Sequence, residues 1–439
     1  TYMSDLLSTY GGYDVKRLPT PCFLIVETKF DKNCRHMLER VNELERETNV
    51  PIKFRAHIKT HKTAKGTLKQ LGVGLIETPK DSIVVSTIKE ATELLNYQDK
   101  ICKQYVKDIC FGLPACVPEI IDQLNTLSGR VQNLRIFVDS VEHLDNLVKF
   151  GRSANDRKWS IFIKVDMGTQ RAGLPTESAE FLELLKKLIT PEVAEVADLY
   201  GFYAHAGHSY NVTNILDAHD LLLQEIKAVN EAAKMVRKLN PKINAIDLTL
   251  SVGATPTSNS LRIRDELEIN EYIRDTLVGT LEIHCGNYCV YDLQQLSTNC
   301  INDFECSGYV LGTVLSSYKE RHEMLTNAGV MALTRESSKF KGNGLCIHTD
   351  TILKDESYKI DWFIDRISQE HGILKQYHGQ EDQEFPNKKT PLKPLLNLGE
   401  KIAILPQHAC ITMGQFPHYF VLDNDNKVSD VWIPFQKWQ

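Results

Sequence analysis

Eight short strand-like runs, separated by stretches long enough for helices, constrain this chain more than any other feature. In order they read KFRAHIK, SIVVST, DICFGL, LRIFVDS, SIFIKVD, YGFYAHA, LTLSVG and LEIHCG. Several of the stretches between them carry helical periodicity. In ILDAHDLLLQEIKAVNEAAKMVRKLN, the residues Leu222, Ile226, Val229, Ala233 and Val236 keep one face apolar. Upstream, Met37, Leu38, Val41 and Leu44 do the same in FDKNCRHMLERVNELERET. Strands alternating with helices in this number predict a (β/α)8 barrel over residues 21–295, with a doubly wound sheet as the alternative on pattern alone.

Past residue 296 the character changes to short strands and turns: CSGYVLGTVLSSY, AGVMALT, KIAILPQHACITM and HYFVLDNDNKVSDVWIPF. The turn-prone DNDN between two strand-like runs predicts a hairpin. Residues 296–439, with 1–20, therefore read as a mostly β second domain. QYHGQEDQEFPNKKTPLKP is polar and proline-containing, which predicts a surface loop.

The 51 basic and 57 acidic residues leave a net charge of −6, which argues against a nucleic-acid binder. Eleven cysteines, an odd number without repeated spacing, suit a reduced intracellular protein. No apolar run approaches the ~18 residues of a membrane span. TYMSDLLSTYGGYDV lacks the apolar region of a signal peptide. The expectation is a soluble, cytoplasmic chain whose natural start is Met3.

In a parallel barrel, chemistry gathers where the strands end at the C-terminal face. The first strand ends in FRAHIKTHKTAKG, where strand alternation puts Arg55, His57, Lys59 and His61 on one face. An arbitrary lysine at a strand end is a solvated one, but neighbouring cations disfavour the protonated amine and free it as a nucleophile. Lys59 at a barrel mouth therefore suggests a Schiff base. After the seventh strand, SVGATPTSNS offers Gly253 for close backbone approach, then Ala254 and several hydroxyls. Barrel phosphate sites commonly use the loops after strands seven and eight. A Schiff-base lysine and a phosphate cradle together suggest pyridoxal phosphate. YAHAGHSY brings Tyr203, His205, His208 and Tyr210 to the same mouth, where ordinary hydrogen-bonded core residues are the competing reading.

In LPQHACITMG, His408 and Cys410 lie two apart; on an extended segment they point the same way and can hold one borderline metal, zinc being the natural choice. Two ligands do not close a site, yet an incomplete sphere suits a catalytic zinc. HCGNYC at 284–289 is a competing cluster whose spacing fits no familiar closed zinc site.

Taken in order, RAHIKTHKTAKGTLKQ, IKVDMGTQRAG, GFYAHAGHSY, LSVGATPTSNS, LEIHCGNYCVYDLQQ and LPQHACITMGQFPHYF resemble the fold-type III pyridoxal-phosphate enzymes. Within them they resemble the family of eukaryotic, fungal-type D-serine dehydratases, over essentially the whole chain. The resemblance implies an N-terminal α/β barrel with the cofactor at its mouth, a C-terminal β domain and a homodimer with active sites near the subunit interface. By position it implies Lys59 as the Schiff-base lysine, His408 and Cys410 as zinc ligands, and Tyr203, Tyr210, Gly253 and Ala254 as cofactor contacts, with Arg171 a further one. Relatives in the D-threonine aldolase group often carry an arginine-proline pair where this chain has Glu282, Ile283 and His284, so the partner of the pyridine nitrogen stays open.

The activity so implied is a carbon–oxygen lyase that converts D-serine to pyruvate and ammonia. Lys59 would remove the α-proton and zinc would assist loss of the β-hydroxyl. The alternatives are a D-threonine or D-3-hydroxyaspartate aldolase or dehydratase on the same scaffold, and a non-catalytic pyridoxal-phosphate carrier. The extra β domain speaks against the carrier, and an amino-acid racemase has no use for the metal.

Overall fold

The computed structural model describes residues 1–263, 267–379 and 391–439, so the central part of the expected surface loop, 380–390, lies outside the described residues. Chain contacts divide the molecule into two compact units: Arg35–Gly286 with Phe435–Gln439, and Thr1–Cys34 with Asn287–Pro434. The expected domain limits were 21 and 295. The first strand, β1 (Cys22–Val26), pairs with strands of the second unit's sheet rather than with the barrel.

In the first unit, β2 (Lys53–His57), β3 (Ser82–Val85), β4 (Asp108–Phe111), β5 (Asn133–Val138), β6 (Trp159–Val165), β7 (Ala197–Ala204), β8 (Thr249–Val252) and β9 (Thr280–Cys285) close into a parallel barrel in chain order. Each coincides with one of the strand-like runs of the sequence. β3 and β4 are buried almost throughout, as strands covered on both faces must be. The helices that return the chain begin on short polar caps. Thr87, Ser140, Ser178 and Asn214 each accept a backbone N–H of the first turn of the helix they precede. The helix Ile215–Leu239 buries Leu222, Ile226, Val229, Ala233 and Val236, the stripe read from its periodicity.

In the second unit, β1 is joined by β10 (Gly308–Tyr318), β11 (Glu323–Thr326), β12 (Leu345–Ile347), β13 (Trp362–Ile367), β14 (Gly372–Gln376), β15 (Lys401–Leu405), β16 (Tyr419–Leu422) and β17 (Val428–Trp432). Their order is β11-β14-β13-β12-β15-β10-β1-β16-β17. β1 runs parallel to β16 and antiparallel to β10. DNDN forms the turn of the β16–β17 hairpin, with Asn426 at a φ of 60°. AGVMALT departs from expectation: Val330–Leu333 is one helical turn, since a short apolar run does not by itself distinguish strand from helix. Among the described residues no helix is long and apolar enough to cross a membrane.

Candidate active site at the barrel mouth

Beneath the mouth, the barrel interior is built on ion pairs. Arg55, fully buried on β2, donates from Nε to Glu282 on β9 at 2.8 Å and from Nη1 to Asp108 on β4 at 2.7 Å. Arg135 on β5 donates to the other Asp108 oxygen at 2.8 Å and lies 3.6 Å from the centre of the Tyr200 ring. Two guanidinium groups and two carboxylates balance one another, as burial of charge requires. Burial opposes the charge of Arg55, yet Asp108 and Glu282 hold its pKa well above the ordinary value.

This network reaches the mouth through Ser251 and His284. The Ser251 hydroxyl donates to Glu282 at 2.8 Å, so its oxygen accepts from His284 Nδ1 at 2.9 Å. That order fixes the neutral tautomer with its proton on Nδ1 and a lone pair on Nε2, which has no hydrogen-bond partner among the described residues. Burial, then the field of His205 and Arg55, depresses the His284 pKa far below the usual histidine value. Tyr203 stacks on the His284 ring, centroids 4.0 Å apart and planes 5° from parallel. Phe137 and Phe162 meet the Tyr203 ring edge-on at 4.7 and 5.7 Å. Three aromatic neighbours fix its plane, and burial raises the phenol pKa well above its usual value, keeping the hydroxyl protonated.

The basic stripe expected on the first strand is not one row of cations. β2 ends at His57; Lys62 N–H donates to the Ile58 carbonyl at 2.8 Å and Lys62 has a φ of 51°, so alternation stops. His61 turns inward instead, between Thr63 Oγ1 at 2.9 Å and Gln70 Oε1 at 2.7 Å, and burial takes its pKa down to about 4. His57 is held far below the usual value by burial, then by Lys59 and His205. Both histidines are neutral at pH 7, so Arg55, already neutralised by carboxylates, and Lys59 are what remain of the stripe. Lys59 lies two residues beyond β2, and its side chain makes no hydrogen bond or ion pair with any described residue.

Across the mouth, Gly253 has a φ of +145°, and a β-carbon on it would stand 1.9 Å from the His284 carbonyl oxygen. Only glycine fits that approach. Its carbonyl accepts from His205 Nδ1 at 2.7 Å; burial and then Lys59 drive the His205 pKa down to about 3. Glu225, from the helix Ile215–Leu239, accepts the N–H of Gly253 at 2.8 Å and of Ala206 at 3.3 Å, tying the loops after β8 and β7 together. Burial raises its pKa to about 7. The Ala254 N–H donates to Thr257 Oγ1 at 3.0 Å. The close approach at Gly253 is thus to the His284 backbone, and the N–H groups of Gly253 and Ala254 are already bonded within the protein. Tyr210 lies in the 3-10 turn Gly207–Asn211 that follows β7, half-buried.

Two groups here were not singled out from the sequence. Lys164, on β6, is 8% exposed with its amine 4.8 Å from the Phe137 ring centre. Burial, followed by the field of Arg171, lowers its pKa to about 8. Its signal was a lone lysine in the otherwise apolar IFIKV. Glu225 had no signal beyond being an acid between apolar positions of an amphipathic helix.

In the second unit, His408 is in extended backbone while Cys410 lies in the short helix Ala409–Met413, so the pair is not the straight extended segment expected. The side chains still meet. Burial opposes charge on His408, but its hydrogen bond with Cys410 and the nearby Asp292 lift its pKa to about 9. Asp292, fully buried, accepts from Ala409 N at 2.7 Å and Asn287 Nδ2 at 2.9 Å, and Asn287 Nδ2 is also 3.9 Å from Cys410 Sγ. Among the described residues no group of three or more His, Cys, Asp or Glu could hold a metal ion. The competing HCGNYC cluster offers less: His284 is committed to Ser251, and burial pushes the Cys285 thiol up to about 12.

The closed barrel and its mouth define the class. Residues 33–263 match the alanine racemase N-terminal domain, and residues 307–422 match a putative serine dehydratase domain. The structure superposes on D-threo-3-hydroxyaspartate dehydratase from Delftia sp. HT23 with a TM-score of 0.76, at 24% identity, over 97% of this chain and 100% of that one. D-serine dehydratase from Saccharomyces cerevisiae is 58% identical over 99% of this chain and 100% of its own length. The Schizosaccharomyces pombe enzyme of the same name is 37% identical over 99% and 95%. The chain belongs to the fungal D-serine dehydratase family of fold-type III enzymes, and is a carbon–oxygen lyase.

Proposed function

We propose that this chain dehydrates D-serine to pyruvate and ammonia with pyridoxal phosphate on Lys59 and zinc on His408 and Cys410, as a cytoplasmic homodimer. The observation that carries this reading is the uncommitted Lys59 side chain at the mouth of the barrel, in a chain so similar along its length to the yeast enzyme. The Lys59 amine, without a hydrogen bond or ion pair to any described residue, supports the fit of the cofactor aldehyde, and the nitrogen–sulfur donor pair supports the fit of zinc.

Bound at Lys59, pyridoxal phosphate supplies the electron sink that makes the substrate α-proton removable. Zinc supplies a Lewis acid for the departing β-hydroxyl. The protein's own groups do the rest. Lys59 Nζ would take the substrate α-proton as general base. Tyr203, braced by His284 and Phe137, gives a flat, fixed wall with a protonated hydroxyl, and Tyr210 borders the same mouth. Glu225 holds the loop that carries Gly253 and Ala254, the expected cofactor contacts. His57 and His205, both neutral, add no competing positive charge beside the base. Asp292 and Asn287 brace the segment that carries His408 and Cys410.

The test is product formation by the purified protein from D-serine and, separately, L-serine, before and after a chelator. Pyruvate from the D-isomer alone, lost on chelation and restored by zinc, is the expected result. Glycine and an aldehyde from D-threonine, without pyruvate from D-serine, would replace the reading with an aldolase.

A further inference from the structure

Lys164 has no place in the reaction as read above, yet it is built into the same mouth. Its amine is buried among Phe137 and Tyr203, 4.8 and 6.0 Å from their ring centres, and has no hydrogen bond or ion pair with any described residue. The charges around it do not compensate it. Arg171 and Lys59 repel it. Cys110 faces it as a neutral thiol, its pKa raised by burial to about 12. Asp139 attracts it, but that carboxylate accepts from Gly173 N at 3.0 Å and lies 3.4 Å from His143. Ring faces attract a cation weakly compared with a carboxylate. A buried ammonium without a counter-ion is a cost to the empty protein, and it is removed when a ligand brings the anion.

We infer that Lys164 is an anion-binding residue of the barrel mouth, whose ammonium receives an oxyanion that arrives with the ligands. On the proposed reading, on which this inference rests, two oxyanions reach that mouth: the α-carboxylate of the amino-acid substrate and the phenolate oxygen of the cofactor. Either makes a charge-assisted hydrogen bond with Lys164 Nζ. Lys164 then sets affinity or cofactor ionisation, and Lys59 alone carries the Schiff base.

The test compares wild type, Lys164→Met and Lys164→Arg by three readouts: melting of the cofactor-free protein, pH titration of the visible Schiff-base absorbance, and kcat and KM for D-serine. Methionine removes the uncompensated charge while keeping volume, so the cofactor-free Lys164→Met protein should melt no lower than wild type. A KM raised about 10- to 100-fold with kcat much less affected, the size of a lost charged hydrogen bond, assigns the carboxylate. A displaced midpoint of the absorbance titration assigns the phenolate. Lys164→Arg should recover most of either effect. A lower melting temperature for cofactor-free Lys164→Met overturns the inference in favour of a packing role, as does unchanged KM and titration. Wild-type protein with no visible chromophore would overturn the pyridoxal-phosphate reading itself and this inference with it.

Discussion

Glu225→Gln should stabilise the protein, and the gain should grow with pH. Glutamine keeps an oxygen to accept the N–H groups of Gly253 and Ala206 but cannot ionise. Burial raises the Glu225 pKa from 4.5 to about 7. For an acid shifted upward, the folded state prefers the protonated form. The associated stability is present in full below the unfolded pKa and is lost as pH rises through the folded one. The shift corresponds to about 3 kcal/mol once pH exceeds both values, and to about 1 kcal/mol near pH 5. Relative to wild type, Glu225→Gln should therefore gain about 2 kcal/mol more at pH 8.5 than at pH 5, or roughly 4–8 °C in Tm for a unit of this size. Thermal melts of both proteins at the two pH values give the answer. A Tm difference that does not change with pH would refute the argument, because it would mean that Glu225 is ionised in the folded protein throughout.

Other changes test the frame around the site. Gly253→Ala forces a β-carbon to within 1.9 Å of the His284 carbonyl at a φ of +145°, and should cost at least about 3 kcal/mol or displace the loop; lower cofactor affinity in an equilibrium titration is the expected sign. Asp108→Asn leaves Arg55 and Arg135 undercompensated inside the barrel and should cost about 3–5 kcal/mol, read by denaturant unfolding. The folded pKa of Asp108 is depressed because Arg55 and Arg135 outweigh the opposing effect of burial, so its stabilisation is present above the unfolded value of 3.8 and is lost as pH falls through the folded one. Wild type should therefore converge on Asp108→Asn in strong acid. Asn287→Ala removes the donor between Asp292 and Cys410, and should weaken zinc affinity roughly tenfold in chelator competition.

The barrel was legible because buried parallel strands and the helices that return between them carry different periods, and all eight strand-like runs became barrel strands. Lys59 was singled out because strand ends are where such a fold keeps its chemistry, and it lies two residues beyond β2. What the periods do not encode is pairing at long range. Nothing in CFLIV indicates that β1 joins β10 and β16, hundreds of residues away, rather than the barrel. Arg55 looked like a tuning charge for Lys59, but its carboxylate partners lie on β4 and β9, where they balance it. His61 was assigned to the stripe on the assumption that alternation continues, and the turn at Ile58–Lys62 ends it. The spacing of His408 and Cys410 survived a wrong backbone assumption because the first turn of a helix also lets a capping residue and its second neighbour meet.

The central claim, that Lys59 carries the cofactor, has a direct chemical test. Two lysines that make no hydrogen bond or ion pair with any described residue, Lys59 and Lys164, belong to this mouth. Reducing the holoprotein with borohydride fixes a Schiff base as a stable secondary amine, and peptide mass mapping locates it. The account requires the pyridoxyl group on the peptide containing Lys59, with Lys164 unmodified. Label on Lys164, or a visible chromophore that leaves no label on either lysine, would contradict it.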